Sequence, residues 1–379
     1  MNNQLSLAIA LALATTTTIA APTFYGEIDL SLDYVAADNA APAKDRDITD
    51  LNSNNSFLGL KGDEKLTDRL SALYQAEFTF YSDEGASSGG TADTFVPRNI
   101  LIGLKDEQLG ALKVGKIDTP VKQLSAVVDT FNNYVANNAD VHGIMGGENR
   151  LDNTLVYEAP SLAVGTGKVD AKLQLATGEG KDVITSTKGG YTVAGRGLGD
   201  TWSSSLVYSD KTFVAGIGYD KAVPTRFLSR GFLNADTREV TAANNVIAEA
   251  NTVRAIGRVN LDNGLSLRAL YQVSETRNAN ASSNPDVTRA IDDAQAWLVG
   301  AEYNIPTAKA WTVKGQYSQN VVSFEGGTPD FEVNQILAGV DYAFSKQVKV
   351  YGTAGYLTIE QDNAKDKQVL VGTGFEYKF

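Results

Sequence analysis

The sequence predicts an all-β chain: a sixteen-stranded antiparallel transmembrane β-barrel with short turns alternating with long loops. Three observations carry that reading. Apolar and polar residues alternate with a period of two in run after run of about ten residues. Short turns and long polar loops alternate strictly between those runs, which a β-sandwich has no reason to do. The last run, Val369 to Phe379, puts Val369, Val371, Thr373, Phe375, Tyr377 and Phe379 on one face and Leu370, Gly372, Gly374, Glu376 and Lys378 on the other. An apolar, aromatic face backed by a small, charged one is the alternation expected where lipid lies on one side and water on the other. Terminal segments fray unless something ties them down, and a sheet closed on itself supplies the tie.

Composition agrees with one large closed unit. The 379 residues include 21% charged and 43% hydrophobic residues, and no linker or low-complexity tract divides them. After the N-terminus no run approaches the roughly 18 apolar residues of a membrane helix. A strand barrel escapes that criterion because only alternate residues face lipid. Gly 35 and Tyr 16 suit tight turns and interfacial aromatics. The absence of cysteine removes disulfides, thiolate metal sites and thiol nucleophiles together. A net charge of −12 argues against nucleic acid as a partner, since no basic stripe is present to neutralise phosphates.

From the N-terminus, Leu5 to Ala14 forms an apolar core followed by the small-residue stretch Thr18-Ile19-Ala20. This reads as a secretory signal peptide over 1–20, cleaved after Ala20, leaving a barrel domain over 21–379. No Lys or Arg precedes the apolar core, so the free amino group supplies the positive charge. The strands then run approximately 23–35, 55–63, 68–81, 97–105, 110–117, 151–159, 167–176, 200–209, 211–221, 251–260, 264–275, 294–303, 310–321, 332–344, 346–358 and 368–379. In the first, Ile28, Leu30, Leu32 and Tyr34 oppose Glu27, Asp29, Ser31 and Asp33. Asp63-Glu64-Lys65, Ser209-Asp210-Lys211, Asp262-Asn263-Gly264 and Ser345-Lys346 supply short turns. The long loops include 36–54, 82–96, 177–199 and 222–250.

Several local strings now resemble the general diffusion porins of the Gram-negative outer membrane. They are Phe24-Tyr25-Gly26-Glu27-Ile28-Asp29, Ser56-Phe57-Leu58-Gly59-Leu60-Lys61-Gly62, Asn153 to Pro160, and the end Gly374-Phe375-Glu376-Tyr377-Lys378-Phe379. The resemblance implies a homotrimer of barrels in the outer membrane, exported through the periplasm, through which ions and small hydrophilic solutes diffuse passively. It also implies short periplasmic turns, long extracellular loops and a third loop, about 118–150, that folds inward and constricts each pore. Asp118-Thr119-Pro120 resembles the start of that loop, where a Thr cap and Pro at the first helical position would start a short helix drawn from Val121 to Asn132.

Carried over from the family, the basic wall of the constriction would be Lys61, Arg98 and Arg150. A third wall arginine is replaced by Phe57, and an inward lysine of the first strand by Glu27. The acidic side would be Glu27, Asp118, Asp129, Asp140 and Glu148, with Asp129 and Asp140 the strongest candidates. The thinned basic cluster implies weak cation preference. Strict alternation places Arg98 on one face with Ile100 and Ile102, which conflicts with a lipid-facing position for the isoleucines. The second long loop would latch onto a neighbouring subunit through Asp83, Glu84 and Asp93. Phe379 would be the signal read by the barrel-assembly machinery, and outer-loop carboxylates would meet lipopolysaccharide through divalent cations.

Other functions find less support. The single histidine, His142, has no Gly-x-Ser-x-Gly nucleophile motif near it, so an outer-membrane enzyme is not expected. A substrate-specific channel, for example for sugars, would use an aromatic track, for which Tyr25, Phe57, Trp202 and Tyr351 are the candidates. An adhesive barrel would have a plugged lumen. No cofactor or metal is implied: Gly195-Arg196-Gly197-Leu198-Gly199 lies in a polar loop, not between strand and helix.

Overall fold

A computed structural model describes residues 21–38, 46–83, 95–134, 139–179, 184–195, 197–227, 232–233, 240–241 and 246–379. The leader expected over 1–20 lies outside the described residues, as do Glu84, Asp93 and Arg196. The wall consists of β1 (Thr23–Asp38), β2 (Arg46–Ser53 continued by Phe57–Lys65), β3 (Leu70–Phe80), β4 (Phe95–Asp106), β5 (Gly110–Asp118), β6 (Arg150–Glu158), β7 (Gly167–Ala176) and β8 (Thr201–Ser209). It continues with β9 (Phe213–Arg226), β10 (Ile247–Asn260), β11 (Leu265–Ser282), β12 (Ile291–Asn304), β13 (Trp311–Phe324), β14 (Phe331–Ala343), β15 (Val348–Gln361) and β16 (Ala364–Lys378).

Each wall strand pairs antiparallel with the next, and β16 returns to β1 from Glu27↔Lys378 to Asp38↔Lys367, closing the sixteen-stranded barrel. Closure extends to the final residue. Gly26 and Phe379 exchange backbone hydrogen bonds of 3.0 and 3.1 Å. β1 spans both halves of β2, pairing Thr23–Glu27 with Phe57–Lys61 and Leu30–Ala37 with Arg46–Ser53. The segment Asp63-Glu64-Lys65 belongs to β2, and the turn follows it, where Thr67 Oγ1 accepts from Leu70 N at 3.0 Å.

The alternation orients the wall as a period of two requires. On β1, Asp29, Ser31 and Asp33 are buried while Leu32 is 52% exposed. On β16, Phe375 and Tyr377 face out while Leu370 and Glu376 are buried. A charge on the outer face costs about 2–4 kcal/mol at mid-bilayer, which fixes the sense of the alternation.

The interior is partly filled. Residues 119–149 start with α1 (Pro120–Ser125), capped by the Thr119 hydroxyl, which accepts from Lys122 N at 3.2 Å. The helix is shorter than the span to Asn132, and turns follow it. Leu124, Val128, Val141, Ile144 and Met145 join a buried cluster with inward wall residues such as Ile256, Leu270, Leu298 and Val333. Inward glycines make room for the segment. A Cβ at Gly218 would lie 2.8 Å from Leu124, and one at Gly339 2.8 Å from Phe131. A second helix, α2 (Pro285–Ala290), leads into β12 at the long-loop end.

Candidate functional site

Arg98 shows how the wall positions its charges. β3 and β4 pair as Ala76↔Ile100 and then as Phe78↔Pro97, so Arg98 and Asn99 together oppose Glu77. That is a β-bulge, and it shifts the alternation by one residue. Arg98 therefore points inward, Ile102 is 61% exposed outside, and the conflict raised by strict alternation disappears. Arg98 Nε lies 2.5 Å from Glu77 Oε1, and its guanidinium sits 4.8 Å from the Phe57 ring.

A second junction lies where residues 119–149 leave and rejoin the wall. The last residue of β5, Asp118, pairs with Arg150, the first of β6. Arg150 Nη2 lies 3.0 Å and Lys122 Nζ 2.8 Å from Asp118 Oδ1, while Asn99 Nδ2 donates to Oδ2 at 3.0 Å. The carboxylate closes the base of the excursion like a clasp.

Beside this junction is a cavity of about 550 Å³ lined by Arg98, Lys122, Arg150 and Arg226, by Asp118, Asp140 and Glu148, and by His142. Arg98, Arg150, Asp118, Asp140 and Glu148 are thus brought together as sequence reasoning grouped them. Three others are not. Lys61 stands outside the cavity, its ammonium 4.6 Å from the Tyr25 ring. Glu27 lies next to the end of β16, with Lys378 Nζ at 3.4 Å. Asp129, expected on the acidic side, is instead buried, with its carboxylate turned onto backbone amides. Its carboxylate accepts from Phe131 N at 3.2 Å and Val141 N at 3.0 Å, so backbone donors hold it away from the cavity.

Burial raises the Asp129 carboxyl to about 6, and burial next to Asp129 and Glu148 raises Asp140 well above the usual carboxylate range. Asp140 also caps the 3-10 turn Val141–Gly143, accepting from Gly143 N at 3.1 Å.

The partners that pin residues 119–149 escaped the sequence reading. Arg254 on β10 is fully buried. It donates to Gly146 O at 2.8 Å, Val121 O at 3.1 Å and Gln272 Oε1 at 2.8 Å, and it meets Glu148 Oε1 at 2.5 Å. A single guanidinium therefore holds both ends of the excursion. Farther along, Tyr134 stacks on Tyr351 with centroids 4.1 Å apart, and the Lys314 ammonium lies 4.0 Å from the Tyr134 ring. The inward parity of Arg254 was legible; its third-loop partners Val121, Gly146 and Glu148, more than 100 residues away in sequence, were not.

The aromatic candidates do not form one track. Tyr25 and Phe57 face inward, and the Tyr25 hydroxyl donates to Glu77 at 3.0 Å. Tyr351 is held by Asp29 at 2.6 Å and Asn54 at 2.7 Å. Trp202 lies between buried Thr201 and Ser203, hence on the outer face, paired with Tyr219 at 5.1 Å. Asp83, the described member of the second-loop trio, accepts from Ser53 N at 2.9 Å within the same chain. Glu27, Asp29 and Glu376 each bring a carboxylate oxygen within 4.8 Å of the others, and Lys349 and Lys378 lie 2.7 and 2.8 Å from Glu376.

The family model described as Gram-negative porin matches residues 7–363. The major outer membrane protein P.IB of Neisseria sicca is 23% identical over 98% of this chain and 99% of its own length. Among solved structures, the anion-selective porin from Comamonas acidovorans superposes with a TM-score of 0.65 at 18% identity, covering 95% of this chain and 99% of that one. An outer membrane protein OmpT of Vibrio cholerae, solved in a trimer form, superposes with a TM-score of 0.56 at 14% identity, covering 95% and 99%.

Proposed function

The chain belongs to the Gram-negative porin family, outer-membrane channels for passive diffusion and not enzymes, and on that premise we propose that the charged cavity beside residues 118–150 is the narrowest part of its pore. One observation carries this reading: a segment of the third loop, clamped to the inner wall by Arg254, lines the same cavity as Arg98 and Arg150. Ions and small hydrophilic solutes cross there.

The pore favours cations weakly. Arg98 is paired with Glu77, and Arg150 and Lys122 share Asp118, so these wall cations are partly compensated, while Arg226 donates to the Tyr191 hydroxyl. Phe57 and Glu27 hold no positive charge at their wall positions, and the chain carries −12 overall. The selectivity of the Comamonas porin does not transfer, since at 18% identity the likeness carries the fold alone.

Three such barrels associate through outward apolar faces of the first strands, with Asp83 in the second loop beside the contact. The Vibrio cholerae protein of like fold was itself solved in a trimer form. Residues 1–20 direct export, and the assembly machinery reads the strand ending at Phe379. In the long loops, carboxylates meet lipopolysaccharide through divalent cations.

Single-channel recording of the refolded protein in a salt gradient tests the reading. Current steps in threes with a modest cation-favouring reversal potential are expected. A chloride-favouring potential refutes the selectivity, and no conductance from folded protein refutes the channel.

A further inference from the structure

The fourth long loop contains a structured element that sequence reasoning passed over as polar loop. Residues Thr185–Thr187 and Gly190–Thr192 form a hairpin, and Tyr191 pairs in parallel with Leu151 of β6. This hairpin does not stand free above the barrel. Arg150 Nη1 donates to Gly189 O at 3.2 Å, and Lys116 Nζ donates to Lys188 O at 2.7 Å and lies 3.2 Å from Thr187 Oγ1. Gly189, with φ of +69°, touches β4 so closely that a Cβ there would lie 2.0 Å from Pro97 O. On the other side, Arg226 of β9 donates to the Tyr191 hydroxyl at 3.3 Å. Val193 and Ala194 are buried, Val193 packing with Leu151 and Val223. The hairpin is therefore fastened to β4, β5, β6 and β9 at once. Ser186, Thr187, Gly189, Gly190 and Tyr191 line the same cavity as Arg98 and Arg150.

We infer that this hairpin is a second constricting element, which narrows the aperture shared with the third loop and tunes its selectivity by covering a wall cation, Arg150. The inference rests on the channel reading above. Its physical basis is that a carbonyl oxygen accepting from a guanidinium or ammonium solvates that charge in place of a passing anion. With Gly189 O in position, Arg150 offers fewer free donors to the aqueous path, while Lys116, outside the cavity lining and paired with Asp152 at 2.6 Å, serves to hold the hairpin. Removing the hairpin both widens the path and uncovers positive charge. Conductance and ion preference then change together, as loss of bulk alone would not require.

Two variants in the cysteine-free chain test this. Gly189→Val strains a left-handed position and drives a side chain into Pro97 O, undocking the hairpin without altering a charged group. In planar bilayers it is expected to raise single-channel conductance on the order of twofold and to shift the reversal potential toward anions. Ser186→Cys leaves the fold undisturbed and presents a lone thiol to the cavity. Its complete modification by a bulky cationic thiosulfonate is expected to cut the current. Conductance and reversal potential unchanged in folded Gly189→Val, or current unchanged after labelling proved complete by mass spectrometry, overturns the inference while the channel reading stands. A parent protein that conducts nothing overturns the channel reading first, and the inference with it.

Discussion

Replacing Arg254 with methionine removes the donors of a fully buried guanidinium while retaining much of its stem volume. The acceptors left behind are Glu148 Oε1, Gly146 O, Val121 O and Gln272 Oε1, previously at 2.5, 2.8, 3.1 and 2.8 Å. Stranding one member of a buried ion pair costs about 3–5 kcal/mol. Glu148 is 9% exposed at its side chain and borders the cavity, so water relieves part of that cost and the lower end applies. Gly146 O keeps Gln272 Nε2 as a donor at 3.1 Å, so Val121 O and Gln272 Oε1 are the carbonyls that lose one, adding up to about 1 kcal/mol each. The docking of residues 119–149 should weaken by about 4–5 kcal/mol, roughly three orders of magnitude in the docked-to-undocked ratio. The barrel remains closed, since its ladder does not involve this side chain. The expected phenotype is therefore a folded barrel with noisy, flickering current and a lower threshold for voltage closure. Combining Arg254→Met with Glu148→Gln removes the stranded charge and should recover part of the quiet current. Wild-type noise, closure threshold and thermal stability in the Arg254→Met protein would refute the clamp.

Two further expectations follow from buried polar groups. Because burial raises Asp129 from 3.8 to about 6, the folded state binds more protons than the unfolded state between those values, and stability falls as pH rises through that window. Asp129→Asn keeps an acceptor for Val141 N without the charge, so thermal midpoints measured from pH 4 to 7 should lose that part of their pH dependence; a slope identical to wild type would count against it. Tyr351→Phe deletes a hydroxyl that donates to Asp29 and accepts from Asn54 while keeping the ring on Tyr134. The cost should be about 1–3 kcal/mol in unfolding experiments in detergent, and an unchanged midpoint would show that water replaces the hydroxyl.

What the sequence determined by itself is the wall. Side-chain direction in a strand follows from local geometry, so the alternation of Asp29, Ser31 and Asp33 with Leu30, Leu32 and Tyr34 specified the inward face, and strand count and closure followed from the turns. Arg98 marks the limit of that rule. An extra residue opposite Glu77 reverses the parity, and nothing in Pro97-Arg98-Asn99-Ile100 alone announces it. The start of the third loop was equally legible, because a Thr cap before Pro is local chemistry. Which side chains meet across the lumen was decided only by tertiary structure. Asp129 and Asp140 are both loop acids, yet the backbone turns Asp129 onto the amides of Phe131 and Val141 and leaves Asp140 at the cavity. Arg254 reaches Glu148, and Tyr351 reaches Tyr134, only once the sheet has closed and the loop has folded onto it. Periodicity assigns each residue a face; the register of closure and the path of the loops assign it a neighbour.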